Sequence, residues 1–169
     1  MIACVDVHYP AAGGARAACV LARGWEDASP LCEHVSELAG AQPYRSGAFY
    51  ERELPSLLAV LASVEVSLEA VVVDAYVWLG PGRPGLGARL FEALGGAIAV
   101  VGVAKTRFAD AGEVSAEVLR GSSRRPLFVS AAGMSLGEAA ERVRAMAGGS
   151  RIPALLARAD RLSRGGAPR

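Results

Sequence analysis

The sequence predicts a single α/β domain built on a mixed sheet, and three observations lead to this prediction. The chain has 169 residues, of which 52% are hydrophobic, and this supplies one sizeable core but is too short for two ordinary domains. Three strand patterns with short connections open the chain, and helix and strand patterns then alternate. The apolar run Val71-Val72-Val73 is typical of a strand buried on both faces.

The first half of the chain predicts three strands followed by one helix. Turn signals rich in glycine and proline separate the strands, which favours an antiparallel meander. The strands are expected at residues 2–9, 15–22 and 31–38. Residues 54–64 have helical periodicity with Pro55 in the first turn, where proline is tolerated. Glu53 is therefore expected at the entrance of this helix.

The second half alternates strands and helices after the buried run that ends at Asp74. Helices are expected at residues 86–94, 135–147 and 153–163, and further strands at 98–103, 113–119 and 126–130. Ser135 and Glu138 have the spacing of a capping box at one helix start. We expect one domain over residues 1–164 and a frayed tail at 165–169.

Composition limits the function classes only in part. A net charge of +1 predicts no field that would attract a polyanion, although charge can cluster locally. Cys4, Cys19 and Cys32 lack CxxC spacing and fit reduced thiols in a cytosolic protein. No apolar run reaches the roughly 18 residues that span a bilayer, and Met1 leads directly into a strand. We expect a cytoplasmic protein with no membrane partner.

Three acidic residues, Asp6, Glu53 and Asp74, fall at the ends of predicted elements. Open α/β sheets place ligand sites at the carboxyl ends of strands, where such side chains would share a cleft. Converging carboxylates repel one another, and hard divalent cations with oxygen ligands relieve that repulsion. Two such ions can activate water and stabilise the leaving oxygen of a phosphodiester. The alternative is that the three acids are separate caps or surface groups.

Several other residues have two interpretations each. His34 is expected on the exposed side of its strand, either solvated or as a ligand. Trp78 follows Asp74 and either stacks on a base or packs on its own scaffold. Lys105 follows a buried strand and is either part of a functional site or a lysine that extends from the core to solvent. The basic turn 120–125 either contacts phosphates or is a solvated hairpin tip.

Short motifs in a fixed order extend over nearly the whole chain. They are residues 5–9 (VDVHY), 43–47 (PYRSG), 52–55 (RELP), 73–74 (VD), 101–105 (VGVAK) and 125–130 (RPLFVS), with weaker traces at 151–153 and 159–160. In this order they resemble the endonuclease V family, nucleases that cleave near deoxyinosine and, in some members, near inosine in RNA. Each motif is weak alone, but the ordered set is fairly specific.

The resemblance implies a ribonuclease H-like fold, with a three-stranded antiparallel meander and parallel strands flanked by helices. It implies that Asp6, Glu53 and Asp74 hold Mg²⁺, with Mn²⁺ as the alternative ion. Lys105 would lie near the scissile phosphate. The implied partner is DNA or RNA containing a deaminated purine, cut at the second phosphodiester on the 3′ side, and we expect the protein to be a monomer.

The resemblance also implies a set of substrate-binding residues. The Pro43-Tyr44 segment would be the wedge that separates strands while a flipped base enters a pocket. Glycine offers no side chain in the way of such a base. The implied substrate-binding residues are Tyr44, Gly47, Gly80, Gly85 and Gly102.

The sequence departs from the family pattern at several places, among them Asp74-Ala75 where the family has Asp-Gly, and two departures remove histidines. Gly80-Pro81 stands where the family has His-Pro, and Ala132-Gly133 stands where it has Gly-His. These losses favour a second reading, a catalytically weakened relative that binds nucleic acid or another partner without cleaving it. A third is an α/β binding domain of unrelated function.

His8 is the accessory residue that would compensate for the lost histidines. It lies two residues beyond Asp6, which places both on one face of the strand about 6–7 Å apart. An imidazole there could bind a transition ion such as Mn²⁺ or orient a carboxylate. The alternative is that His8 caps the strand end by bonding to a loop carbonyl.

Overall fold

The structure, a computed structural model, describes residues 1–39 and 49–167. Within these ranges the chain forms a seven-stranded mixed sheet, a two-stranded hairpin and four α-helices. The strands are β1 (Ile2–His8), β2 (Ala15–Ala22), β3 (Cys32–Leu38), β4 (Ala70–Val73), β5 (Trp78–Gly80), β6 (Arg83–Pro84), β7 (Ala99–Ala104), β8 (Ala116–Val118) and β9 (Leu127–Ala132). The helices are α1 (Phe49–Leu61), α2 (Leu86–Ala93), α3 (Leu136–Ala145) and α4 (Ala154–Ser163).

The strand order in the main sheet is β3-β2-β1-β4-β7-β9-β8. The first three strands form the predicted antiparallel meander. β4 pairs in parallel with β1 and with β7, and β9 then returns antiparallel to β7. The prediction of a mixed sheet flanked by helices is confirmed. Three parallel strands therefore end at one edge of the sheet, and this edge carries the acids.

Hydrophobic cores lie on both faces of the sheet because β1, β4 and β7 are apolar at nearly every position. Ile2 and Cys4 contribute to the core under α3 and α4. Ala3 and Val5 contribute to the core under α1 and α2. Since side chains alternate along a strand, Asp6 continues the series of Ile2 and Cys4 towards α4.

Helix α1 begins at Phe49, five residues earlier than expected, so Glu53 lies inside the helix and not at its entrance. Pro55 is consequently an interior residue of the helix, with an exposed ring. The predicted boundary is wrong because Tyr50 and Leu54 pack against the core on this face and support another helical turn. Proline marked a helix start in the sequence, but packing outweighed that signal.

Smaller differences occur in the second half of the chain. β9 continues to Ala132, two residues beyond the predicted end, and β8 is shorter than expected. The loop rich in glycine and proline contains the unpredicted hairpin of β5 and β6. Ser135 caps α3 as predicted, since its hydroxyl accepts a hydrogen bond of 3.1 Å from the Glu138 N–H, which is one half of a capping box. In the part of the chain that is described, no helix has the length and apolar character needed to cross a membrane.

Candidate active site

Asp6, Asp74 and Lys105 lie where the three parallel strands end. Val5 is the register partner of Val73, so the backbones of Asp6 and Asp74 are at the same level on neighbouring strands. Neighbouring strands of a sheet are about 4.8 Å apart. Lys105 directly follows β7 on the other side of β4, and its ammonium group forms an ion pair with the Asp74 carboxylate. The sheet register therefore brings together residues that are about 100 positions apart.

Helix α4 adds two polar residues to this edge from one face of the sheet. The buried Ser163 hydroxyl donates to Asp6 Oδ2 at 2.6 Å and lies 2.8 Å from the Asp160 carbonyl. Asp160 lines a small cavity of about 170 Å³ together with Asp74 and Lys105. Asp160 was part of a weak motif trace and Ser163 had no signal at all. Only the docking of α4 on β1 brings them to the site.

Helix α1 brings Glu53 to the same edge from the opposite face. Burial is the main reason that the pKa of Glu53 rises from 4.5 to about 8. The negative charges of Asp6 and Asp74 raise this pKa further, and the neighbouring Arg52 lowers it. Arg52 is itself placed over the Tyr9 ring, 3.6 Å from its centroid. Glu53 is therefore close enough to the other two acids to be influenced by both.

Asp6 is held in a similarly unfavourable environment for a charged carboxylate. Burial raises its pKa most, the Ser163 hydrogen bond opposes that rise, and the charges of Asp74 and Asp160 add to it. Lys105 lowers the Asp6 pKa only weakly. Four carboxyl groups thus share this edge of the sheet with Lys105, with Arg52 next to Glu53 and with Arg164, which forms an ion pair of 3.0 Å with Asp160. The pKa values of Asp6 and Glu53 are raised despite these cations, and this favours a bound proton or metal ion.

The charge of Asp74 raises the pKa of both Asp6 and Glu53, and the charge of Asp6 also raises that of Glu53, while the joint role of these three acids stays a prediction. In the described ranges, however, no three His, Cys, Asp or Glu side chains are grouped closely enough to hold a metal ion. The chemistry of these donors is that of ligands for hard cations such as Mg²⁺. The donor set fits such an ion, while its spacing is not that of a preformed metal centre.

Two groups outside the acidic cluster fix the backbone around Lys105. The Tyr76 hydroxyl donates to the Thr106 carbonyl at 3.0 Å and accepts from the Phe108 N–H at 3.1 Å. Arg151 Nη2 donates to the carbonyls of Lys105 and Pro126, at 2.5 and 2.6 Å. Neither role was predicted, because both depend on loops from distant parts of the chain meeting at this point.

The glycines assigned to substrate binding lie around the loop that follows Asp74. A Cβ atom on Gly102 would stand 2.3 Å from the Ala75 carbonyl oxygen, so glycine lets this loop cross directly over β7. A Cβ on Gly85 would stand 2.6 Å from the Tyr76 carbonyl oxygen, and one on Gly80 would stand 3.2 Å from the Asp110 carbonyl oxygen. These glycines support close backbone packing within the chain, and their contact with a base stays a prediction.

The remaining predicted residues are distributed around this edge. His8 lines an open cleft of about 690 Å³ that also includes Ser163, so it lies on the side of the sheet that carries Asp6. Trp78 Nε1 donates to the Ala131 carbonyl at 2.9 Å, which ties this aromatic residue to the scaffold. Tyr44 and Gly47 lie outside the described residues.

The basic turn 120–125 does not behave as one surface unit. Arg120 is 5% exposed, and its Nη2 donates to the carbonyls of Met146 and Gly148 near the end of α3. The expectation that Arg120 is solvated or contacts phosphates is therefore wrong, because its guanidinium satisfies carbonyls that the helix leaves unpaired. Arg124 and Arg125 are exposed.

The mixed sheet, with acids at the ends of its parallel strands, defines an α/β protein of the ribonuclease H-like class. The sequence model of the family described as endonuclease V matches residues 1–161. The chain belongs to the endonuclease V family.

Solved structures agree with this assignment. Endonuclease V from Streptomyces avermitilis is 26% identical, with a TM-score of 0.78 over 96% of this chain and 79% of that one. The catalytic domain of human endonuclease V is 24% identical, with a TM-score of 0.77 over 96% and 80%. Ciona intestinalis endonuclease V, bound to a 23mer DNA with an inosine followed by a ribo-adenosine, is 19% identical, with a TM-score of 0.77 over 96% and 83%. Comparison with curated protein sequences gives no significant match.

Proposed function

We propose that this protein is a divalent-cation-dependent endonuclease that hydrolyses a phosphodiester near a deaminated purine, deoxyinosine in DNA or inosine in RNA. The observation that carries the proposal is the alignment of Asp6, Asp74 and Lys105 at the ends of three adjacent parallel strands. Membership of the endonuclease V family supports a nuclease. The inosine-containing DNA bound to the Ciona relative supports a nucleic-acid substrate with a deaminated base.

Asp6, Glu53 and Asp74 would hold the cation, Mg²⁺ or Mn²⁺, with Asp160 as a neighbouring acid. The bound ion would supply a nucleophilic water at neutral pH and stabilise charge on the phosphate oxygens. The support is electrostatic, since the acids raise the pKa of Asp6 and Glu53 and a cation would relieve the same repulsion. Because these acids lack ligand spacing, we expect their side chains to adjust when the ion binds.

Lys105 and Ser163 would orient the groups that react. The Lys105 ammonium would exchange its contact with Asp74 for a contact with the scissile phosphate, where a cation favours developing negative charge. The Ser163 hydroxyl would keep Asp6 Oδ2 in one position and leave the other carboxylate oxygen for the ion. Tyr76 and Arg151 hold the backbone on both sides of Lys105 and so limit where its side chain can reach.

Substrate recognition would involve the loop after Asp74 and the segment around Tyr44. In this proposal Tyr44 and Gly47 separate the strands, while Gly80, Gly85 and Gly102 allow main-chain groups to approach a flipped base. The cut would fall at the second phosphodiester on the 3′ side of the lesion.

The second candidate function is binding of nucleic acid without cleavage. Gly80 and Gly133 stand in the places of the two family histidines, and neither can supply an imidazole to an ion or to substrate. In that case Lys105 would neutralise the Asp74 carboxylate in place of a bound metal cation.

A cleavage assay with matched oligonucleotides distinguishes these functions. One single-stranded DNA contains a central deoxyinosine, one contains inosine in RNA, and controls carry adenine at the same position. The wild type and Asp74→Asn are compared with Mg²⁺, with Mn²⁺ and with a chelator, and binding is measured in parallel. The proposal expects lesion-specific, cation-dependent cleavage that Asp74→Asn abolishes. Lesion-specific binding without cleavage selects the second function, and neither activity rejects both.

A further inference from the structure

Strand β3, at the edge of the sheet, carries a cysteine and a histidine on the same face. Cys32 and His34 are two residues apart, so their side chains project to the same side. Cys32 Sγ lies 3.5 Å from His34 Nε2, within hydrogen-bonding distance for sulfur, and the cysteine is exposed. Cys32 pairs with Leu21, which pairs with Ala3 near the start of β1. Cys32 therefore lies towards the end of the sheet opposite to Asp6, whereas His34 pairs with Cys19 and through it is level with Val5, two strands away from β1.

Ser63, just beyond the end of α1, determines which nitrogen of His34 carries the proton. Its hydroxyl donates its one hydrogen to the Val60 carbonyl at 2.7 Å. The same oxygen lies 3.2 Å from His34 Nδ1, so it accepts a hydrogen bond from an Nδ1–H group. In neutral His34 the lone pair is consequently on Nε2, the nitrogen that faces Cys32. The imidazole is thus oriented as a base towards the thiol.

The other two cysteines are in environments that suppress this chemistry. Burial raises the pKa of Cys19 to about 12, and burial also raises the pKa of Cys4 strongly. Buried thiols of this kind stay protonated and inert, since the thiolate is the nucleophile. Cys32 is exposed and has a base within reach, so it differs from both.

We propose that Cys32 is a peroxide-reactive thiol and that His34 is its general base, with Ser63 as the residue that fixes the His34 tautomer. Cys32 Sγ attacks one oxygen of a hydroperoxide while His34 Nε2 takes the thiol proton. The new S–O bond forms at the terminal oxygen as the O–O bond breaks, and the departing hydroxide or alkoxide receives the proton from His34 and leaves as water or an alcohol. The thiol is oxidised to a sulfenic acid and the peroxide is reduced.

The test measures the initial rate of sulfenic acid formation in the full-length protein exposed to hydrogen peroxide. Dimedone traps the product, and mass spectrometry of peptides assigns it to a cysteine. The variants are Cys32→Ser, His34→Gln and Ser63→Ala, each checked for an unchanged melting temperature. None of the three residues is among the proposed cation ligands or substrate-binding residues, so nuclease activity is not a readout.

The proposal expects trapping at Cys32 and none at Cys4 or Cys19 on the same timescale. His34→Gln keeps a polar side chain but removes the base, and it should slow trapping by about tenfold or more. General-base catalysis typically contributes about 100-fold or more, so a tenfold loss is a cautious threshold. Ser63→Ala should slow it several-fold, since both tautomers then compete. Equal rates in wild type and His34→Gln overturn the proposed base, and faster trapping at Cys19 than at Cys32 overturns the site itself.

Discussion

The pKa of Glu53 is the property of a single residue that reflects the electrostatics of this site most directly. Burial and the charges of Asp6 and Asp74 raise its pKa to about 8, from 4.5. The folded protein therefore holds this proton over a pH range in which the unfolded chain has lost it. By linkage, stability then falls as pH rises from about 4.5 to about 8, because the folded state binds more protons.

The first prediction tests this linkage in the absence of divalent cations. Glu53→Gln should remove the part of the decline in melting temperature that occurs between pH 5 and 8, and the variant should be more stable than the wild type at pH 8. Thermal unfolding in a chelator, over a pH series, measures both effects. Adding Mg²⁺ at pH 8 should raise the melting temperature of the wild type more than that of Glu53→Gln, since the ion replaces the lost proton. Parallel pH profiles for the two proteins would contradict the raised pKa.

The second prediction concerns His8, on the same side of β1 as Asp6. If its imidazole assists the cation, His8→Ala should lower Mn²⁺-supported cleavage several-fold more than Mg²⁺-supported cleavage, because nitrogen ligands favour the softer ion. Cleavage rates with each ion are the measurement, and His34→Ala, on β3 two strands away from β1, is the control. Equal losses with both ions would leave His8 as a strand cap.

At the scale of elements, the site depends on how two loops are held together. The loop after β4 carries Asp74 and Tyr76, and the loop after β7 carries Lys105 and Phe108. The Tyr76 hydroxyl bonds to the second loop at both Thr106 and Phe108. The two loops that bear Asp74 and Lys105 are thereby fixed relative to one another.

The third prediction follows from this contact. Tyr76→Phe removes the hydroxyl and leaves the ring, so it should reduce kcat about fivefold with little change in KM, as expected for a hydrogen bond worth about 1 kcal/mol. Tyr50→Phe is a matched control, since the Tyr50 hydroxyl contacts only Glu51, at 3.5 Å, among its described bonds. Steady-state kinetics on a deoxyinosine oligonucleotide measures both variants. A change in KM alone would mean that Tyr76 serves substrate binding instead.

At the scale of the whole molecule, the net charge of +1 conceals an uneven distribution. Arg124 and Arg125 are exposed just before β9. Phe128 of β9 pairs with Ala104 of β7, so these arginines lie at the same edge of the sheet as Lys105. A nucleic acid that reaches Lys105 would meet them.

The fourth prediction is that binding is modest and depends on salt through a few contacts. For the Asp74→Asn protein on a deoxyinosine oligonucleotide, the slope of log affinity against log salt should correspond to a small number of phosphates. Replacing Arg124 and Arg125 by glutamine should reduce that slope by about 1 to 2. Arg23→Gln is the control, because Arg23 is exposed after β2 at the opposite edge. Affinity that does not change with salt would exclude phosphate contacts as the basis of binding.

The sequence by itself determined the layers of this protein and the identity of its acids. The β-branched runs and turn signals predicted the meander, the parallel strands and three of the four helices to within a few residues, because hydrophobic periodicity is a local property. Asp6, Asp74 and Lys105 were identifiable as strand-end residues for the same reason.

Tertiary structure decided what the local pattern does not encode. Docking of α4 on β1 places Asp160 and Ser163 next to Asp6. Packing of Tyr50 and Leu54 on the core places the start of α1 before Glu53. Carbonyl groups after α3 accept hydrogen bonds from Arg120 and keep its side chain buried. The hydrogen bonds at His34 Nδ1 and at the backbone next to Lys105 likewise depend on Ser63, Tyr76 and Arg151 from other elements. Each of these contacts joins residues far apart in the chain, and its geometry is set by the register of the sheet and the packing of helices on its two faces.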